Sequence, residues 1–257
     1  MTVWAKTCQD DYDWGASIHA MLPKNGNLSP EALEQLCGFD TCTLSNAIER
    51  LNVRPRNEGF ISGVVKCRFP QLEPVIGYAV TARMRSSVTP VNGKYYYAHP
   101  EFWNYLASFS GPRILVILDG DERPGMGALL GEAYARISRA LGCVACVTNG
   151  AVRDLTGIEA LQYQVFAGSV AVSHAYAHVV DFGDPVEIGG LRISNGDLLH
   201  GDRHGVHMIP HRGVDRLASL AEQVLRDDRQ LFQLTERKDF SVALLSDRLE
   251  EVKKHPL

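Results

Sequence analysis

No stretch of the 257-residue chain stays apolar for the ~20 residues that a membrane-spanning helix requires, so a membrane role is not expected. Basic runs and basic stripes are missing as well. With 26 Lys and Arg against 30 Asp and Glu, the net charge is −4, which argues against a nucleic-acid partner. Cysteine is scarce: Cys8, Cys37, Cys42, Cys67, Cys143 and Cys146 are too scattered for a disulfide framework. Residues 1–27 carry Lys6, Asp10, Asp11 and Asp13 and lack the apolar core of a secretory signal, so a reduced, cytoplasmic setting is expected. Internal repeats and low-complexity segments are also absent. What remains, 45% hydrophobic and 22% charged residues, is the composition of an ordinary globular protein with ample material for a core.

The most informative stretch runs from Arg113 to Asp154. Its apolar run 114–118 is short, rich in β-branched residues and stopped by Asp119-Gly120, which predicts a buried strand. A loop bearing Gly120, Gly125, Gly127 and Gly131 follows. Leu130, Ala133, Tyr134, Ile137, Ala140 and Leu141 then recur at helical spacing, and a second apolar run, 143–147, leads into Thr148-Asn149-Gly150. Strand, helix, strand is a parallel crossover unit.

That unit brings two carboxylates together. The helix from Glu132 descends on the order of 15 Å at ~1.5 Å per residue, and the second strand climbs back roughly 20 Å. Glu132 and Asp154 therefore finish at the carboxyl edge of the sheet, where open α/β sheets bind ligands, with Arg153 adjacent. One cation, two acids and a row of helix-N-terminal amides from Gly127, Ala128, Leu129 and Leu130 suit an anionic substrate held on a divalent metal. The competing reading of Arg153-Asp154 is a capping or surface ion pair.

Glu132, twenty intervening residues, then Arg153-Asp154 resembles the acidic-x20-Arg-Asp signature of the RraA-like family, in its enzymatic branch of 4-hydroxy-4-methyl-2-oxoglutarate/4-carboxy-4-hydroxy-2-oxoadipate aldolases. GALLGE (127–132), TNGAVRD (148–154), VFAGS (165–169) and the run 186–210 resemble that family's blocks in the same order. The resemblance implies an α/β fold with a layered β/β/α core of the swivelling-domain type over residues 28–212. An N-terminal extension (1–27) and a C-terminal helical segment (213–257) are added to it. It implies a lyase that cleaves a C–C bond of a 2-oxo acid through a pyruvate enolate, with Mg²⁺ or Mn²⁺ bound directly by Asp154 and through water by Glu132. Arg153 would bind the keto or developing alkoxide oxygen, and the amides of 127–130 the substrate carboxylate. Homotrimers or homohexamers with sites between subunits are implied too, with Glu222, Glu236, Glu250 and Glu251 as candidates for an acid from a neighbour. The alternatives are a non-catalytic regulator that binds a ribonuclease, or a lyase or hydratase of the same fold acting on another hydroxy acid.

The rest of the chain yields structural expectations. Ser29-Pro30 predicts a helix over 30–37, and Thr43 or Ser45 is expected to cap a second one within 39–51. Residues 74–85 read as a strand whose Arg83 is as readily a solvated strand end as an anion ligand. The aromatics of 86–112, Tyr95, Tyr96, Tyr97, Phe102, Trp103 and Tyr105, are expected mainly to pack, with one or two lining a pocket. Helix is expected over 102–106 and 155–161, and strand over 164–167. Cys143 and Cys146 are read as inert core thiols on opposite strand faces, and His174 and His178 as a structural pair. His200, His204, His207 and His211 match no zinc spacing, and Asp197 and Asp202 read as turn formers. Two amphipathic helices, 214–232 and 242–252, close the chain, the first packing through Leu217, Leu220, Ala221, Val224, Leu225 and Phe232.

Overall fold

A computed structural model describes residues 28–91 and 96–254; the extension expected over 1–27 lies outside the described residues. Helix α1 (Pro30–Cys37) begins as predicted, the Ser29 side chain accepting a hydrogen bond from the Ala32 amide. Helix α2 (Thr41–Leu51) starts earlier than the expected Thr43 or Ser45 cap. Asp40 caps it instead, its carboxylate 2.6 Å from the Thr43 amide. Aspartate is at least as good a cap as threonine, and Thr41 and Thr43 are buried within the helix.

The chain then runs through β1 (Lys66–Cys67), β2 (Val75–Arg85), α3 (Pro100–Ala107), β3 (Arg113–Asp119), β4 (Ala128–Leu130), α4 (Glu132–Ala140), β5 (Cys143–Val152), α5 (Leu155–Ala160) and β6 (Gln164–Val170). After these come β7 (His178–Phe182), the hairpin β8 (Val186–Ile188) and β9 (Leu191–Ile193), β10 (Leu198–Asp202), β11 (Gly205–Met208), α6 (Val214–Thr235) and α7 (Val242–Lys254). The sheet order is β1-β6-β5-β3-β2-β10-β11, with β4 added to β5 and β7 to β2. The central strands β2, β3, β5 and β6 are parallel.

Alternation along these strands feeds two cores. Val80, Met84, Leu115, Ile117, Val165 and Ala167 face the helices, packing with Phe102, Leu106, Tyr134 and Ile158. Ala79, Ile114, Val116, Val147 and Phe166 face the other way, onto Val186, Ile188 and Ile193 of the β8–β9 hairpin. Burial on both faces explains why the central strands are nearly continuous apolar runs. Hairpin, mixed sheet and helices make the layered β/β/α architecture expected, with helices at both ends of the described chain.

A third cluster joins α1, α2 and α6 to Ile76, Tyr78, Leu198 and Ile209. Leu217, Leu220, Ala221 and Val224 of α6 are buried there, whereas Leu225 (36%) and Phe232 (58%), expected on the same packed side, are exposed. The 22-residue α6 outruns the 11-residue α2 on which it lies. The cysteine expectation needs a correction as well. Cys143 and Cys146 share one face and one core, because the β3–β5 register shifts between Arg113 and Ile114 and inserts an extra residue. Their inertness does not change. Burial raises both thiols, Cys143 to about 12.

Candidate active site

Strand β5 builds the site by changing partners. Its residues up to Thr148 pair with β3, and Ala151 and Val152 pair with β4. At the crossover the Asn149 side chain clamps β3, its Oδ1 accepting from the Asp119 amide at 2.7 Å and its Nδ2 donating to the Asp119 carbonyl at 3.0 Å. Gly150 is required there: a Cβ would lie 2.9 Å from the Asp119 Cβ. The loop between β3 and β4 folds back because its acids collect donors. Asp119 accepts from the amides of Gly125 and Asp121, and Asp121 accepts from the amides and hydroxyls of Ser86 and Ser87. Burial alone would raise the Asp121 carboxyl, but the Ser87 and Ser86 donors outweigh it and bring it down to about 2.

One expectation about the backbone is corrected here. Gly127 to Leu130 do not stand at a helix N-terminus. Ala128 and Leu130 pair with β5, the Gly127 amide donates to Ser86 Oγ, and the Ala128 amide to the Ser173 carbonyl. Leu130 is strand rather than helix because Gly131, extended at φ −125, separates β4 from α4. Helix α4 instead begins at Gly131 and Glu132.

At that end stand the predicted side chains. Arg153 follows β5 directly, its amide donating to the Leu130 carbonyl at 3.0 Å. Asp154 is left-handed (φ 56, ψ 41), a conformation costing an aspartate on the order of 1 kcal/mol. Although Asp154 occupies the N-cap of α5, its carboxylate caps nothing there. It turns to α4 instead, with Oδ2 3.3 Å from the Glu132 amide and Oδ1 3.2 Å from Arg153 Nε. The Glu132 carboxylate takes both Nε and Nη2 of Arg136 on Oε1, at 2.9 and 2.6 Å, and lies over Gly157 of α5. The fold thus brings Glu132, Arg153 and Asp154 to one edge. Their side chains are 38%, 29% and 39% exposed, open to ligand.

Two residues of the site were not singled out from sequence. Arg136 was legible in the i, i+4 spacing from Glu132. Tyr96, one of three successive tyrosines, had no distinguishing signal. Its hydroxyl stands 2.9 Å from the position of a Cβ on Gly131, and Asp154 Oδ2 stands 2.6 Å from the same position.

The other candidates go elsewhere. Arg83 binds the Pro185 carbonyl and faces Asp181 and Asp184. His174 and His178 are bonded to the carbonyls of Ala128 and Tyr176. His200 and His207 face each other across β10 and β11, buried, without hydrogen-bond partners among the described residues, and burial lowers both, His200 to about 4. Asp197 and Asp202 tie turns, accepting from the amides of Ser194 and His204 respectively. Among the described residues no three His, Cys, Asp or Glu side chains converge on a metal position. The donors at the edge are therefore two carboxylates. Hard, half-exposed oxygen ligands of this kind fit Mg²⁺ or Mn²⁺, which keep several waters.

Two small clefts, one beside Arg54 and His207 and one beside Leu28 and Tyr78, lie away from this edge. The chemistry outweighs the concavity. Neither cleft gathers the acids, the arginine and the helix end.

Comparison with known proteins agrees with the layout. A protein of Halalkalibacterium halodurans, provisionally named a 4-hydroxy-4-methyl-2-oxoglutarate aldolase, is 28% identical over 102 residues, 39% of this chain. That match spans about half, 49%, of the relative's length. Among solved structures, an uncharacterised Pseudomonas syringae protein aligns with a TM-score of 0.67 at 18% identity, over 88% of this chain and 97% of its own. Streptomyces coelicolor RraAS2, described as an unusual member of the RNase ES inhibitor RraA family, aligns at 0.60 and 17% identity, over 82% and 98%. These two likenesses speak for the fold. A model of the RraA-like family, described as Aldolase/RraA, matches residues 41–208, well over half of the chain and inclusive of the entire edge described above, and the chain belongs to that family.

Proposed function

We propose that this chain is a divalent-metal-dependent lyase that breaks a C–C bond of a 2-oxo acid. The bond is broken by retro-aldol cleavage of a 4-hydroxy-2-oxo acid, by decarboxylation of oxaloacetate, or by both. The observation that carries the reading is Asp154, a left-handed acid turned away from its own helix and held half-exposed between Arg153 and the start of α4. A residue kept in that conformation with its carboxylate presented to solvent is built for a ligand.

Asp154, and Glu132 through water, would hold Mg²⁺ or Mn²⁺, which supplies a Lewis acid for the 2-oxo carboxylate group. Arg153 uses Nε on Asp154 and keeps the remainder of its planar fork for the oxygen that gains charge as the bond breaks. The first-turn amides of α4 attract the substrate carboxylate. Arg136 holds Glu132 toward the same edge.

The edge also has an apolar rim. Met126 (56%), Val170 (50%), Val172 (93%) and Tyr176 (48%) are exposed beside it. This supports closure of the site by another copy in a homotrimer or homohexamer. No helix of the described residues is long and apolar enough to cross a membrane, and a cytoplasmic setting fits a reaction on central 2-oxo acids.

The test is pyruvate release from oxaloacetate and from 4-hydroxy-4-methyl-2-oxoglutarate with Mg²⁺ or Mn²⁺, then with excess EDTA, alongside Asp154→Asn. Metal-dependent release that the variant loses is the expected result. Release that survives both EDTA and the variant would overturn the proposal, and no release with no metal binding would favour a non-catalytic regulator.

A further inference from the structure

The residues given a role in the proposed reaction, Arg153, Asp154 and Glu132, offer a guanidinium and two carboxylates but no hydroxyl. Breaking the C–C bond nonetheless leaves an electron pair on C3 of the pyruvate fragment, and that carbon must gain a hydrogen.

Tyr96 stands at the same edge, its hydroxyl at the start of α4. Its backbone is left-handed, φ 52, which for a large aromatic side chain signals a position fixed by its surroundings. Its amide donates to the Ala177 carbonyl at 2.8 Å. The ring lies against His174 with centroids 3.9 Å apart, and His174 is itself tied to β4 through Nδ1, 3.0 Å from the Ala128 carbonyl. On the other side Tyr134, fully buried, packs at 5.9 Å. So held, the hydroxyl reaches the first turn of α4, where it and Asp154 Oδ2 close on the position that a side chain at Gly131 would occupy. The Gly131 amide is directed at the phenol oxygen. That contact uses an oxygen lone pair and leaves the hydroxyl proton to be donated elsewhere.

We propose that the Tyr96 hydroxyl touches the substrate and delivers the proton to the carbon freed by C–C cleavage. The inference rests on the lyase reading above. As the C–C bond breaks, its electron pair remains on C3; the Tyr96 O–H bond breaks and its proton forms the new C3–H bond. In the retro-aldol direction the 4-hydroxyl loses a proton to water as it becomes a carbonyl. The phenolate takes one from water, and nothing else is consumed.

The experiment compares wild type with Tyr96→Phe, which keeps the ring contacts, in three readouts: kcat and KM for pyruvate release, exchange of the pyruvate methyl hydrogens in D₂O followed by NMR, and binding of oxalate, a planar mimic of the pyruvate enolate. A positioned acid contributes ~10²-fold or more, so kcat and methyl exchange are expected to fall together by about that factor. KM, oxalate affinity and the melting temperature should stay within about two-fold or a degree or two of wild type. An active wild type with a Tyr96→Phe that exchanges equally fast would overturn this inference and leave the lyase reading intact. A raised KM and lost oxalate binding at unchanged kcat would also overturn it, since that is a packing role. A wild type with neither cleavage nor exchange would overturn both. Should Tyr96→Phe fail to fold, a fluorinated tyrosine at position 96 serves instead. Its altered phenol is expected to change kcat and methyl exchange together at unchanged KM, and unchanged values of both would refute the role.

Discussion

Asp202 and Asp154 each present a carboxylate to the start of a helix, α2 and α4, and their surroundings differ in every respect that matters for function. Asp202 is 4% exposed, on a regular strand, and its oxygens take the Thr41 amide at 3.0 Å, the Thr41 hydroxyl at 2.5 Å and the His204 amide at 2.8 Å. Burial would raise it, yet the Thr41 and His204 donors win and leave it below the usual carboxylate range. Asp154 is 39% exposed, left-handed, and held by one long bond to the Glu132 amide and one to its neighbour Arg153. A carboxylate whose lone pairs are spent inside the protein ties the fold together. One whose lone pairs face solvent, on a backbone that costs energy to maintain, is available to a ligand.

The comparison would be broken most directly at the exposed acid. Asp154→Asn, which tolerates the left-handed backbone, and Arg153→Ala are each expected to reduce pyruvate release by ~10²–10³-fold while melting as wild type does. Thermal unfolding beside a turnover assay checks this, and a large loss of stability would make Asp154 structural like its counterpart. Asp202→Ala should do the reverse. With a buried carboxylate and its three donors at stake, about 3 kcal/mol of stability is expected to vanish in denaturant titration, at nearly constant turnover per folded molecule.

Acid sharpens the contrast further. His200, beside Asp202, is lowered from 6.5 to about 4 because burial disfavours its charged form. A folded value below the unfolded one gives stability that is complete above pH 6.5. Stability is lost as the pH falls toward 4, by on the order of 3 kcal/mol. Asp202 and Asp121, also lowered in the folded state, extend the loss to still lower pH. His200→Leu should flatten the limb between pH 6.5 and 4 in chemical denaturation, and an unchanged slope would assign it to other groups. The smallest expected effect is at Gly131→Ala. Its Cβ meets Asp154 Oδ2 and the Tyr96 hydroxyl, so turnover should drop ~10-fold from sub-ångström displacement with little change in melting.

How far the sequence reached can be judged at single residues. Ser29-Pro30 announced α1, because capping depends on local geometry alone, and the run 114–118 announced β3, because burial on both faces leaves an apolar run. Glu132, Arg153 and Asp154 were legible through their spacing, since crossover geometry fixes where a strand and a helix end. Leu130 and the amides of 127–130 were misplaced. A three-residue strand beside a helix start has no period of its own, and only pairing with Val152 makes it a strand. Cys143 and Cys146 were assigned to opposite faces because alternation assumes no bulge, and a bulge depends on the partner strand.

The sequence by itself determined most of the elements and the three charged residues at one sheet edge, for these follow from local periodicity and from the fixed rise per residue of helix and strand. Tertiary structure decided what those residues can do. Only the assembled fold turns the Asp154 carboxylate away from α5, spends the amides of Gly127 and Ala128 on Ser86 and Ser173, and brings Tyr96 to the start of α4. Each of those outcomes depends on contacts between segments tens of residues apart, which no local pattern encodes.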